Sequence, residues 1–230
     1  MKNSSRYAVY YAPEVGSDLA DFGASWLGWD PERGESVAHP AYADPPGPVS
    51  ELTDAPRKYG FHGTLKPPFK LTNGYTVSDL NDALVELTSQ QQAFEVERIG
   101  LRSIDGFLAI TPTRYCAPIA TLAENCVRQL DAFRASPLEA ELTRRRSAKL
   151  SDAQDRNLTR WGYPYVLDEF RFHLTLTGKL APEILEPVRE RLQTELSLIL
   201  TQPLPVREIC LFREAKDGNF HIVKRYQLSA

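Results

Sequence analysis

The sequence has 230 residues, 42% of them hydrophobic and 25% charged, with a formal net charge of -3. This is the composition of a soluble globular chain, long enough for one sizeable core or two closely packed lobes. The acidic balance, with a pI near 5.9, argues against a grip on long nucleic acid, which needs an excess of Lys and Arg. A small phosphate ester needs only a few local cations.

Cys116, Cys126 and Cys210 are scattered, with no C-x-x-C pair. An odd, sparse set points away from a disulfide framework and from a thiolate zinc site. Cys116 and Cys126 read as core residues of a helix. The first residues carry no apolar leader, and no run of about 18 apolar residues follows. A cytoplasmic chain with no membrane partner is expected.

In chain order, residues 6–12 read as a strand in which Tyr7, Val9 and Tyr11 alternate with Arg6, Ala8 and Tyr10. A helix is expected over 19–27. The Pro- and Gly-rich stretch 39–56 reads as irregular, either a lid or a plain surface excursion. A strand over 59–65 should stop at Pro67 and Pro68. Residues 79–89 have helical spacing, with Ser78 as N-cap. Strand-like runs at 94–103 and 107–113 are joined by Asp105-Gly106, a strong hairpin signal. A long helix is expected over 117–135, followed by a polar, Arg-rich region.

The second half repeats this order: a strand over 170–177, a helix over 183–200, and strands over 206–213 and 219–227 joined through Asp217-Gly218. A strand–helix–hairpin unit recurring at an offset of about 111 residues marks an internal duplication. The expected architecture is a single α+β domain over 1–230. Its two antiparallel-sheet lobes, centred on 59–113 and 170–227, carry helices outside and a cleft between them, with a helical insertion at about 135–165.

The duplication carries the chemistry. Phe61-His62-Gly63-Thr64-Leu65 and Phe172-His173-Leu174-Thr175-Leu176 both read F-H-x-T-L, and they contain two of only four histidines. Strand alternation puts His62 and Thr64 on one face and Phe61, Gly63 and Leu65 on the other. The second copy divides the same way. Lys58, Gly60 and Lys66 share parity with His62, and Arg171 and Thr177 with His173. A cleft built from both copies holds two imidazoles, two hydroxyls and several cations. Such a set suits in-line opening of an internal phosphodiester, with one ring as base and the other as acid. Thr64 and Thr175 donate to the phosphate, and nearby Lys or Arg stabilises the equatorial oxygens. No metal ligand set and no cofactor is expected.

Two H-x-T-L strands in a duplicated α+β chain resemble the 2H phosphoesterase superfamily, which includes RNA 2',3'-cyclic phosphodiesterases and 2'-5' RNA ligase-like proteins. The flanks, from Arg57 to Phe69 and from Trp161 to Gly178, resemble its bacterial branch linked to phosphonate-utilisation operons. That resemblance implies the bilobed 2H fold, with His62 and His173 as base and acid and Thr64 and Thr175 on the phosphate. It further implies a ribosyl 1,2-cyclic phosphate, or a nucleoside 2',3'-cyclic phosphate, as substrate. The insertion is longer than compact RNA-processing members need, which suits a cap that excludes RNA.

Other residues have weaker claims. Arg57 and Lys58 are candidates for the cleft rim. Trp161, Tyr163 and Tyr165 either stack on a sugar or base or pack the lobe junction. Arg144-Arg145-Arg146 reads first as a solvated helix face, with a clamp on a second phosphate as the sharper alternative. His39 and His221 read as structural. A non-catalytic sensor of a cyclic nucleotide or sugar phosphate and an RNA ligase-like activity are the competing functions. The oligomeric state is open.

Overall fold

The computed structural model describes residues 5–41 and 47–230. Residues 42–46, within the stretch expected to be irregular, lie outside the described residues, as do residues 1–4.

The chain opens with β1 (Arg6–Tyr11) and α1 (Asp18–Leu27). Ser17 starts this helix by accepting the Ala20 N–H, and Gly28 ends it at φ 76°. A small hairpin, β2 (Trp29–Asp30) and β3 (Glu35–Ser36), follows, then two single-turn helices, α2 (Val49–Leu52) and α3 (Asp54–Arg57). Next come β4 (Gly63–Lys70), α4 (Val77–Ser89), β5 (Phe94–Val96), β6 (Ile99–Ile104), β7 (Phe107–Pro112) and α5 (Ala117–Gln129). The insertion folds as α6 (Glu139–Arg146) and α7 (Asp152–Trp161). The chain finishes with β8 (Leu174–Thr175), α8 (Pro182–Glu195), β9 (Leu204–Val206), β10 (Glu208–Glu214) and β11 (Phe220–Gln227).

Seven strands form one antiparallel sheet in the order β11-β10-β1-β4-β8-β7-β6. The fold is α+β, as expected, with a large antiparallel sheet that does not close into a barrel. The two halves of the sequence are interleaved in it. The β6–β7 hairpin of the first half lies beside β8 of the second, while β10–β11 of the second lies with β1 beside β4 of the first. The two strands that follow the histidines, β4 and β8, meet at one pair, Gly63 and Leu174.

One sheet face is covered by helices. Leu80, Leu84 and Leu87 of α4, Leu122 and Cys126 of α5 and Val188 and Leu192 of α8 pack with Val9, Leu65, Leu174 and Leu211. The opposite face carries a smaller cluster around Ala8, Tyr10, Phe212 and Phe220. Asp105 (φ 47°) and Gly106 (φ 92°) both adopt the positive φ of the expected hairpin turn. Among the described residues no helix is long and apolar enough to cross a membrane.

Several local expectations are corrected. Helical turns occupy 49–52 and 54–57, inside the stretch read as irregular. The strand expected over 59–65 runs instead over Gly63–Lys70, through both prolines. They fit because the ladder to β1 slips there: Tyr7 pairs with Phe69 and Val9 with Lys66, so a bulge absorbs the missing N–H groups. The N-cap of α4 is Thr76, in a reciprocal box with Asp79, and Ser78 is already helical. The run 94–103 divides into β5, which pairs with β9, and β6. The helix expected to reach 135 stops at Gln129 and continues as a 3-10 turn, Asp131–Phe133. The helix expected to reach 200 stops at Glu195. The strand over 170–177 shrinks to Leu174–Thr175. Cys126 is buried on α5, whereas Cys116 sits half-buried at its N-cap.

Candidate active site

Both F-H-x-T-L copies split their side chains between the two faces. Phe61, Leu65, Phe172, Leu174 and Leu176 are buried, while both histidines and both threonines are only half-buried. Burying each large apolar side chain is worth about 1.5–3 kcal/mol, so these residues fix which face the imidazoles take. With Gly63 paired to Leu174, the antiparallel register sets His62 across from Thr175 and Thr64 across from His173. The two histidines are thus diagonal neighbours, a placement that spans about 7–8 Å between backbones.

Gly63 is small for a reason. A Cβ there would lie 2.3 Å from the Phe172 ring, which fills the space on the buried face. Tyr10 of β1 lies under His62, with ring centroids 3.9 Å apart and planes at 25°. Phe107 of β7 approaches His173, at 5.7 Å.

The rings are held in the same way. His62 Nδ1 donates to the Gly60 carbonyl at 2.9 Å, and His173 Nδ1 donates to the Arg171 carbonyl at 2.7 Å. Each ring is anchored to the carbonyl two residues before it, so each Nε2 is left as an acceptor in the neutral ring. The Thr64 hydroxyl donates to His62 Nε2 at 3.2 Å. Gly60 reaches its position through φ 69°, a conformation that suits glycine, and a Cβ there would strike Pro31. Burial lowers the His62 pKa to about 4, against the opposing Gly60 hydrogen bond, and a charge on His173 lowers it further. Burial also lowers His173. Both imidazoles therefore favour the neutral form in the free protein.

His62, Thr64 and Thr175 open onto a pocket of about 560 Å³. Its wall includes Tyr10, Tyr59, Phe107 and Tyr163, and five cations: Arg6, Lys58, Arg144, Arg145 and Lys179. Among the described residues no Asp or Glu lines it, although acidic residues outnumber basic ones 30 to 27 in the sequence. Arg6 is held by two bonds to Glu214, at 2.8 and 2.6 Å.

Of the residues singled out in the sequence, His62, Thr64, Thr175, Thr177, Lys58, Tyr163, Arg144 and Arg145 line this pocket. His173 is not among the lining residues; its ring lies 5.7 Å from that of Phe107, which is. Three placements differ from expectation. Lys66 points the other way: it is 2% exposed, donates to the Val127 carbonyl at 3.2 Å and lies 3.9 Å from Asp131. Between Thr64, paired with Tyr10, and Lys66, paired with Val9, the ladder slips again, and this slip turns Lys66 to the buried face; the slip before Phe69 restores the original alternation. Arg57 is occupied with structure, since its guanidinium donates to the carbonyls of Leu27 and Ser50 and to Thr53. Arg171 contributes its carbonyl, and its side chain is exposed.

Arg6, Tyr10, Tyr59, Phe107 and Lys179 were not singled out. Arg6 and Tyr10 carry a signal in the alternation of β1, but its value appears only once β1 is known to lie beside β4. Among the described residues no group of three His, Cys, Asp or Glu side chains is placed to hold a metal ion.

The site is thus defined by a duplicated imidazole–hydroxyl pair on adjacent antiparallel strands. The chain belongs to the family described as "Protein of unknown function (DUF1045)", whose match covers residues 64–221. It is similar to the ribose 1,5-bisphosphate phosphokinase PhnN of Janthinobacterium sp. (strain Marseille), 33% identical over 222 residues, which cover 94% of this chain and 49% of that protein. The protein of the same name from Laribacter hongkongensis (strain HLHK9) is 32% identical over 217 residues, covering 93% and 49%. The chain therefore spans about half the length of these curated relatives. Similar solved structures include E. coli LigT complexed with 3'-AMP (TM-score 0.45, 13% identity, 98% of this chain and 99% of that chain). A crystal structure of a phosphoesterase is similar at TM-score 0.44 and 13% identity, covering 98% and 99%.

Proposed function

We propose that this chain is a phosphodiesterase that opens a small cyclic phosphate ester by acid–base catalysis between His62 and His173. The observation that carries this reading is the Gly63–Leu174 register, which sets each histidine across from the other copy's threonine. A phosphorus atom above that pair meets an imidazole on either side and a hydroxyl from each strand. The neutral Nε2 of one ring removes a proton from water as it attacks phosphorus. The other ring, as imidazolium, gives its proton to the departing ring oxygen, and the product is a phosphate monoester. Thr64 and Thr175 donate to non-bridging oxygens, and the pocket cations offset the charge that builds there. His62, with its pKa lowered to about 4, fits the base. An anionic phosphate between the rings favours protonation of His173, which fits the acid.

The substrate class we favour is a ribosyl 1,2-cyclic phosphate in phosphonate metabolism, with a nucleoside 2',3'-cyclic phosphate next. The name of the two curated relatives, which refers to a ribose carrying phosphates, supports a sugar phosphate. The insertion supports a small substrate: Arg144, Arg145 and Tyr163 wall the pocket, whose volume is typical of small-molecule sites. Long RNA is kept out on this reading.

The test is a panel of cyclic phosphates covering 2',3'-nucleotides, ribosyl 1,2-cyclic phosphate and ADP-ribose cyclic phosphate. Release of a monoester from at least one, lost in His173→Ala, is expected. Absence of turnover across the panel would overturn the proposal.

A further inference from the structure

The chemistry above uses the floor of the pocket and leaves its far wall unexplained. Arg144 and Arg145 lie in the last turn of α6 and both line the cavity. Their neighbour Arg146 is turned away, bound to Asp155 at 2.7 Å. Arg144 makes no salt bridge among the described residues. Arg145 lies 4.9 Å above the Tyr163 ring, with one nitrogen on Glu141 at 3.3 Å, while its buried Nε has no hydrogen-bond partner among the described residues. A buried charged N–H without an acceptor is costly, and an incoming anion would supply the acceptor. Lys179 and Lys58, also on the wall, likewise make no salt bridge among the described residues.

Among the described residues none of these cations is hydrogen-bonded to either imidazole. Tyr10 stacks on His62, Tyr59 flanks it at 5.9 Å, and Tyr163 carries Arg145 on its ring. Aromatic side chains therefore stand around the space between the imidazoles and the arginines, where a sugar ring fits. At about 560 Å³ the pocket exceeds the need of one phosphate and falls in the range of ordinary small ligands.

We infer that Arg144 and Arg145 form a second anion site, so that the molecule taken by this pocket bears a phosphomonoester in addition to the group held between the two histidines. This inference rests on the reading of His62 and His173 as the reacting pair. The arginines clamp the terminal phosphate and set the sugar's distance from the imidazoles. They are specificity-determining residues and take no part in the proton transfers.

Equilibrium binding separates this site from the catalytic proposal. Isothermal titration compares a nucleoside 2',5'-bisphosphate with the matching 2'-monophosphate, neither of which contains a cyclic ester to be opened. Wild type should bind the bisphosphate about tenfold or more tightly, the size of a charge-assisted contact to phosphate. Arg144→Gln and Arg145→Gln should each bring the ratio of the two affinities toward one, with unchanged melting temperatures. Arg145→Lys, which keeps the charge but loses the planar fork, should give an intermediate ratio. Arg189→Gln, on exposed α8, controls for general loss of charge and should leave the ratio as in wild type. A ratio near one in wild type, or one indifferent to both Gln variants, would overturn the second site. Turnover is read separately with cyclic esters in wild type and His173→Ala. Its absence would overturn the hydrolase and leave an Arg-dependent bisphosphate preference standing on its own.

Discussion

Gly63 and Leu174 are cross-strand partners at the junction between the two halves of the chain, and the Phe172 ring occupies the place where a Gly63 side chain would be. The register that sets each histidine across from the other copy's threonine therefore depends on a residue with no side chain. A Gly63→Ala methyl would meet the ring at 2.3 Å, a clash that costs about 1–3 kcal/mol in a packed core. Denaturant unfolding should show that loss, together with a reduced kcat as the histidines move apart. Adding Phe172→Leu should restore part of both, because the smaller side chain yields; strictly additive losses would refute the contact.

Replacing either imidazole tests the pair directly. His62→Ala and His173→Ala should each lower kcat by roughly 10² to 10⁴, while ligand affinity stays within about tenfold. The double variant should be little worse than the singles, since the two rings act as a unit. Wild-type kcat in either single variant would remove that histidine from the mechanism.

Acidity should weaken the fold through the same residues. Burial holds His62 at about 4, below the ordinary 6.5, and also lowers His173, so the unfolded chain takes up protons first on acidification. Their stabilising effect is whole above about pH 6.5 and is lost as pH falls toward 4. Inorganic phosphate favours the protonated rings and should reduce the loss. Melting temperature against pH, with and without phosphate, checks the sign, and His62→Ala should flatten the slope. The rate profile should be bell-shaped; a flat one over roughly pH 5 to 9 would contradict acid–base pairing.

Lys66 separates local sequence from three-dimensional placement. Its ammonium binds the Val127 carbonyl in the last turn of α5, and burial lowers its pKa to about 8, against the pull of Asp131. Lys66→Met should reduce stability by about 1–3 kcal/mol, the cost of an unsatisfied buried acceptor, without altering kcat/KM. A large rise in KM would return Lys66 to the substrate.

A chelator should leave turnover unchanged, because the two imidazoles supply the proton transfers of the proposed reaction and the hydroxyls and pocket cations supply its phosphate contacts. Loss of activity in EDTA, restored by a divalent cation, would require a different mechanism.

Much of this was legible before folding. F-H-x-T-L is a local, period-two pattern, and its Phe and Leu residues do bury while His and Thr do not. The positive φ values at Asp105 and Gly106 follow from turn chemistry confined to two residues. Element ends were less legible. Pro67 and Pro68 read as a stop because an ideal ladder excludes them, yet a bulge against β1 accommodates both.

That two equivalent segments would each present an imidazole and a hydroxyl follows from local sequence, because side-chain alternation is a property of the strand alone. Which charges share that space was settled by long-range packing. A slip in the pairing with β1 turned Lys66 into the core, backbone carbonyls claimed Arg57, and the insertion brought Arg144 and Arg145 to the pocket wall. Those outcomes depend on contacts between segments far apart in the chain, and no local periodicity encodes them.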